Sequence, residues 1–210
     1  MPPLTPLSPS RLRLLRHLQE ARIATAEDLS ARTGLHANTV RDHLRKMASW
    51  GWVVISRDDH RRRGRPRYLY AFADGAARTS TALTDRVARA AHRGDLIRRM
   101  WPPLDSLLPE QETHQLDALS DHLEECGIDL DGSPERDLVI HLSPCIHDSA
   151  ESLTVHLRLM QAILRTVGGR LQIDSDRSRC TSWGCIVALT LDDPAARDSA
   201  VLVRESPSVA

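Results

Sequence analysis

Three cysteines in two short segments are the residues best suited to chemistry: Cys145 in HLSPCIHDSA, and Cys180 and Cys185 in SRCTSWGCIV. A thiolate is a soft ligand and a nucleophile, and three gathered together would hold a thiophilic metal or an iron–sulfur cluster. The fourth position can come from His147, His141 or His156; His147, two residues after Cys145, is the first choice. Metal-free thiol-redox chemistry and plain core packing are the other readings of these sulfurs. The Cys-x4-Cys spacing is not that of a zinc knuckle. Cys126 follows the apolar face of Leu119 and Leu123, has no ligand-like neighbour and is expected in the core. Glycine-rich phosphate loops, nucleophile elbows and HExxH motifs are missing from the sequence, so no enzyme is expected.

The segments around these residues must bring them together. Residues 137–142 read as a strand that ends just before Cys145, and Ala150 to Val167 as a helix with Leu153, Leu157, Met160 and Leu164 inward. Arg170 to Ile173 reads as a short strand and Trp183 to Leu191 as a longer one, with Cys180 in the loop between them. A further helix is expected from His114 to Cys126. Helix, strand, helix, strand, strand describes a small α+β domain, in which the end of the first strand and the start of the last can meet.

The front of the chain carries a different pattern. Arg11 to Glu20 is expected as a first helix with Leu12, Leu15 and Leu18 inward. Thr25-Ala26-Glu27-Asp28 is a capping-box start, Leu29 anchors a short second helix, and Gly34 supplies its left-handed end. A third helix runs from Ala37 to Ser49 with Val40, Leu44 and Met47 on one face. Its other face offers Asn38, Thr39, Asp42, Arg45 and Lys46, flanked by Arg41 and His43, the groups a recognition helix needs in a major groove. Two strands follow, around Val53-Val54-Ile55 and Tyr68 to Phe72. They enclose a loop with Arg61, Arg62, Arg63, Arg65 and Arg67, punctuated by Gly64 and Pro66. A basic loop between such strands is a wing, suited to phosphates or a narrow minor groove.

The segments TAEDLSARTGLHANTVRDHLRKM and WVVISRDDHRRRGRPRYLYAF resemble the winged helix of ArsR-like bacterial repressors, and the GRPRYLY wing is most similar to the SufR-type branch. That resemblance implies a C-terminal iron–sulfur sensing domain. LEECGID, DLVIHLSPC, HLRLMQAILRTVGG and the closing cysteine segment are similar to that domain in order and spacing. The family places a Cys-Pro-x-His segment after its strand, a cysteine near the start of the next helix and another before the final strand. Cys145 matches the first and Cys180 the last. Here Pro144 precedes the cysteine, His147 falls two residues after it, and Ser152 and Leu153 stand where the helix cysteine would be. Cys185 is then the candidate for the missing thiolate. The resemblance implies either a 4Fe–4S or a 2Fe–2S cluster; zinc, or no metal, is the alternative.

Charge divides the chain in the same place. Met1 to Phe72 has 14 arginines and lysines against 6 acids, and the remainder has 14 against 22. A basic front and an acidic back suit a reader of double-stranded DNA joined to a regulatory body. The expected organisation is α+β. A winged helix-turn-helix domain covers 1–75, a linker and dimerisation helix 76–110, an α+β metal or iron–sulfur sensor domain 111–195, and a tail 196–210. Within the linker, Thr81 to Met100 reads as a long helix and a natural arm of a homodimer that reads two half-sites. No apolar run reaches transmembrane length and MPPLTPLSPS does not resemble a signal peptide, so no membrane partner and a cytoplasmic location are expected. The function that follows is a DNA-binding transcription regulator whose operator affinity is set by a cluster or metal on its cysteines. A metal-free thiol or small-ligand sensor is the alternative.

Overall fold

The computed structural model describes residues 7–58, 67–101, 108–131, 138–181 and 184–192. Helix α1 spans Pro9–Ala21, with proline in its first turn where no amide hydrogen is needed, and buries Leu12, Leu14, Leu15 and Leu18. Helix α2, Ala26–Thr33, starts on the expected capping box. The Thr25 hydroxyl accepts from the Asp28 amide at 3.2 Å, and the Asp28 carboxylate accepts from the Thr25 amide at 3.0 Å. Gly34, at φ 71°, closes it in the left-handed region. Helix α3, Ala37–Ser49, buries Val40, Leu44 and Met47.

Strands β1, Val53–Arg57, and β2, Tyr68–Phe72, pair antiparallel from Val53 opposite Phe72 to Arg57 opposite Tyr68. A single bridge from Ala24 to Tyr70 ties this hairpin to the approach of α2. The hairpin is the base of the expected wing. Arg61, Arg62, Arg63 and Arg65 lie outside the described residues.

Helix α4, Thr81–Met100, has two kinds of surface. Leu83, Val87, Ala90 and Gly94 are buried against the rest of the chain. Leu96, Ile97, Met100 and the following Trp101 continue the apolar pattern, yet all four are exposed, Trp101 at 83%. Gly94 allows the closest approach to the next helix, α5 (Glu110–Glu125), because a Cβ there would meet the Asp117 carboxylate at 2.3 Å. Arg98 donates to both oxygens of that carboxylate, at 3.0 and 2.8 Å.

A four-stranded antiparallel sheet completes the fold, in the order β3 (Asp129–Asp131), β4 (Val139–Ser143), β6 (Gly184–Leu191), β5 (Leu171–Thr181). Helix α6, Ala150–Val167, lies on it and buries ten residues, including Leu153, Leu157, Met160 and Leu164. The sheet corrects two sequence-based expectations. β3 follows Gly127 in a stretch too short and acidic to show strand periodicity, and β5 runs to Thr181 instead of stopping at Ile173. Its outer half, DSDRSRCT, is polar and mostly exposed, so composition hides a strand that only pairing with β6 creates.

The buried apolar residues of the two halves form one continuous cluster from Leu7 to Leu189. Helix α1 packs on α6, where Arg16 meets Glu151 at 2.6 Å and the Gln19 side chain donates to the Val155 carbonyl at 3.1 Å. The front three helices and the cysteine-bearing back are therefore mechanically joined.

Candidate metal centre and its connection to the helix-turn-helix

Three backbone segments deliver the sulfurs. β4 ends at Ser143, and the chain turns through Pro144 to place Cys145 at the sheet's edge. β5 and β6 pair with Cys180 directly opposite Cys185, and Cys185 is also opposite Leu142 of β4. The register of two strand pairs thus brings all three sulfurs to one end of the sheet. Gly184 permits it: at φ 156° a Cβ would stand 2.5 Å from the Leu142 carbonyl oxygen. His147 comes from the short loop before α6, fixed by the Ser149 cap that accepts from the Ser152 amide at 3.1 Å.

The donor atoms of Cys145, His147, Cys180 and Cys185 all lie within 4.8 Å of one another. Cys145 and Cys180 sulfurs are 3.8 Å apart, Cys145 and Cys185 2.9 Å, and Cys180 and Cys185 2.7 Å. His147 Nδ1 is 3.3 Å from the Cys185 sulfur. The 3.8 Å separation is the edge of a tetrahedron whose arms are about 2.3 Å, the length of a zinc–thiolate bond, and the pairs at 2.9 and 2.7 Å would have to open to that edge around an ion. Three soft sulfurs and one imidazole are a donor set that selects thiophilic metals. Cys185 is buried, His147 half-buried, and Cys145 and Cys180 are exposed, so the group sits at the surface with one anchored foot.

The three thiols differ. Burial pushes Cys185 well above the ordinary thiol value, and its sulfur neighbours push it further. Burial also raises Cys180. At Cys145 burial acts in the same direction, but hydrogen bonding with Cys185, the His147 backbone and Cys180 outweighs it and brings this thiol below the usual range. Cys145 is thus the first of the three to become a thiolate. Cys126, by contrast, is fully buried away from this group, and burial pushes its thiol up to about 12, which makes it inert.

Of the other histidines considered as ligands, His141 is exposed on β4 and stands outside the group. His156 is wholly buried one layer behind the site, with its Nδ1 2.9 Å from His147 Nε2. Its own Nε2 is 2.9 Å from Nε2 of His122, a third buried histidine, on α5. Burial lowers His147 to about 4 and His122 to about 3, with the Arg86 charge adding to the latter; burial also takes His156 well below its ordinary value. All three are neutral at pH 7. Sequence reading missed His122. Its only local signal is its place on the face that buries Leu119 and Leu123, where a histidine must find a partner.

The DNA-reading candidates divide by exposure. Asn38, Thr39, Asp42, Arg45 and Lys46 are exposed along α3, and Arg41 and His43 are half-buried. Arg41 donates to Asn38 at 3.0 Å and pairs with Glu27, while Arg45 pairs with Asp42 at 2.8 Å. Such exposed pairs are worth about 0–1 kcal/mol and exchange readily for phosphate contacts. Arg67 turns back from the base of the wing and donates to the Thr25 hydroxyl at 3.0 Å, so it braces the α2 cap.

Residues 7–51 match the family model described as "Helix-turn-helix domain". No curated protein and no solved structure matches the chain. The front of the protein is therefore a helix-turn-helix domain, which supports DNA binding and a part in transcription regulation. The cysteine–histidine group at the back could hold a metal ion. Among the described residues, no helix is long and apolar enough to cross a membrane.

Proposed function

We propose that this protein is a homodimeric, cytoplasmic winged-helix transcription regulator whose operator affinity is governed by a metal centre on Cys145, Cys180, Cys185 and His147. It catalyses no reaction in this reading. The observation that carries it is the convergence of three thiols and an imidazole, from three separate segments, within 4.8 Å in a chain that begins with a helix-turn-helix domain. The resemblance to the SufR-type branch of ArsR-like repressors adds the expectation of an iron–sulfur cluster. A cluster spreads its thiolates over different irons, whereas three thiolates and an imidazole converging within 4.8 Å support one thiophilic ion such as zinc. When bound, the metal supplies a cross-link between β4, the β5–β6 hairpin and the loop leading into α6.

The residues of the chain do the rest. Cys145, whose hydrogen bonds favour its thiolate, is a ligand on the exposed side. Cys185, held by β6, fixes the position of the other donors. The exposed row of Leu96, Ile97, Met100 and Trp101 at the end of α4 supports a second copy of the chain as the covering partner. Two recognition helices would then meet half-sites about 34 Å apart, and a modest change in their spacing alters affinity. Asn38, Thr39, Arg41, Asp42, His43, Arg45 and Lys46, with the wing's Arg61, Arg62, Arg63, Arg65 and Arg67, form the DNA face in this proposal.

A metal-free thiol switch is the second reading, favoured by the 2.7 Å between Cys180 and Cys185 sulfurs. Anaerobic purification with metal and sulfide analysis separates the cases. One equivalent of zinc or iron without sulfide supports the single ion, and iron with sulfide supports the cluster. Protein free of both, with two thiols lost on oxidation, would refute the metal centre.

A further inference from the structure

Behind the sulfur group the structure holds a buried row of rings that metal binding alone does not require. His147, His156 and His122 are joined by two hydrogen bonds of 2.9 Å each. His156 and His122 are 0% and 1% exposed. The row ends edge-on against Trp52, at 5.5 Å between ring centres and 80° between planes. Trp52 is itself fully buried, and its indole N–H has no acceptor among the described residues. It also supports the recognition helix. Its amide donates to the Met47 carbonyl at 2.9 Å, and its ring packs on Trp50 at 4.8 Å.

We propose that His156 and His122 are positioning residues that hold His147 in the tautomer that binds metal, and that their contact with Trp52 ties occupancy of the site to the footing of the recognition helix. The proposal rests on the metal-centre reading above. Its chemistry follows from the donor count. A neutral imidazole has one N–H and one lone pair. His147 faces the sulfurs with Nδ1, so ligation needs the lone pair there and the proton on Nε2. That proton requires an acceptor, and His156 Nδ1 is placed to be it. His156 must then carry its own proton on Nε2, which requires His122 Nε2 as the next acceptor. His122 is left with its proton on Nδ1; the Cys126 sulfur, a weak acceptor, lies 3.9 Å from that nitrogen and 4.0 Å from Nε2. Two proton arrangements satisfy the row: this one leaves the His147 Nδ1 lone pair to an ion, and the reverse, which ends with His147 Nδ1–H on the Cys185 sulfur, does not. An ion at His147 Nδ1 therefore selects the first arrangement and with it the tautomer of all three rings.

The route into the DNA-reading half is equally specific. His122 belongs to α5 and His156 to α6, whereas Trp52 sits between α3 and β1. An ion that fixes the His147 ring fixes the next two through short hydrogen bonds and so fixes the edge presented to Trp52. Coupling of this kind typically changes affinity about 5- to 150-fold.

The test uses full-length protein labelled with nitrogen-15, zinc as the probe, and long-range proton–nitrogen spectra that read each histidine tautomer. The expected result with zinc is His147 and His156 protonated on Nε2 and His122 on Nδ1, with a shift of the Trp52 indole signal. His156→Phe should lower zinc affinity about 10- to 100-fold, as loss of an orienting partner does. His122→Phe keeps a ring against Trp52 and should bind zinc more weakly while abolishing the zinc-dependent Trp52 shift. If His156→Phe does not fold, the wild-type spectra and His122→Phe decide the matter. Bound zinc with His122 protonated on Nε2, or with an unmoved Trp52 signal, overturns this proposal and leaves the metal centre standing. Absence of zinc binding by equilibrium dialysis overturns both.

Discussion

Replacement of Cys185 by alanine is the sharpest probe of the sulfur group. Cys185 is the buried member, 2.7 and 2.9 Å from the other two sulfurs and 3.3 Å from His147 Nδ1, so every other donor is measured from it. A four-ligand structural zinc site is worth roughly 10–16 kcal/mol, about 2.5–4 kcal/mol per ligand, so losing one should weaken zinc binding about 100- to 1,000-fold. With free zinc at about 1,000 times the wild-type dissociation constant, binding stabilises the fold by about 4 kcal/mol; after a 1,000-fold loss only about 0.4 kcal/mol remains. At about 2–4 °C per kcal/mol for a chain of this size, the zinc-dependent rise in Tm should fall by about 10 °C. Competition against a chromogenic chelator reads the affinity, and thermal unfolding with and without zinc reads the stability. Cys126→Ala is the internal control. That thiol stands outside the group, so its loss should weaken zinc binding far less than loss of Cys185 while costing about 1 kcal/mol of packing. Wild-type zinc affinity in Cys185→Ala would show that the four donors are neighbours without being ligands.

Three further outcomes are expected. Gly51→Ala should destabilise the fold by roughly 2–4 kcal/mol, because Gly51 has φ 80° and a Cβ would stand 2.3 Å from the Leu83 amide nitrogen; an unchanged urea midpoint would contradict that close approach of α4 to the end of α3. Acidification should lower Tm through the buried His122. Its pKa falls from 6.5 to about 3 on folding, so the unfolded chain binds the extra proton between those values and stability is lost as pH falls from 6.5 toward 3; a Tm flat from neutral pH down to about pH 4 would show that this ring is not buried neutral. On DNA, Asn38→Ala should change preference at particular bases, while Lys46→Ala should weaken binding to all sequences and reduce the salt slope by about 1. Equal binding after joint removal of Arg61, Arg62, Arg63 and Arg65 would end the wing's part in it.

Much of the front half was legible because its signals are local. Thr25 and Asp28 form their capping box within four residues, Gly34 ends α2 through its own backbone, and Val40, Leu44 and Met47 declare one face of α3. The same locality made α6 readable from Ala150 to Val167. At the end of α4, Leu96, Ile97 and Met100 keep the apolar period and are exposed. Periodicity marks a face; it does not say what covers that face.

The sequence by itself determined the helix-turn-helix, the residue types able to bind metal, and the separation of basic front from acidic back. Tertiary structure alone decided that Cys180 stands opposite Cys185, that Cys145 joins them across β4, that His156 and His122 line up behind His147, and that the row ends on Trp52. Those facts depend on strand register and on helices packed across 34 to 70 positions of chain, from His122 to His156 and from Trp52 to His122. Cap and period act over one or two turns of backbone, whereas register is fixed only when the hydrophobic faces of separate segments close on a common core.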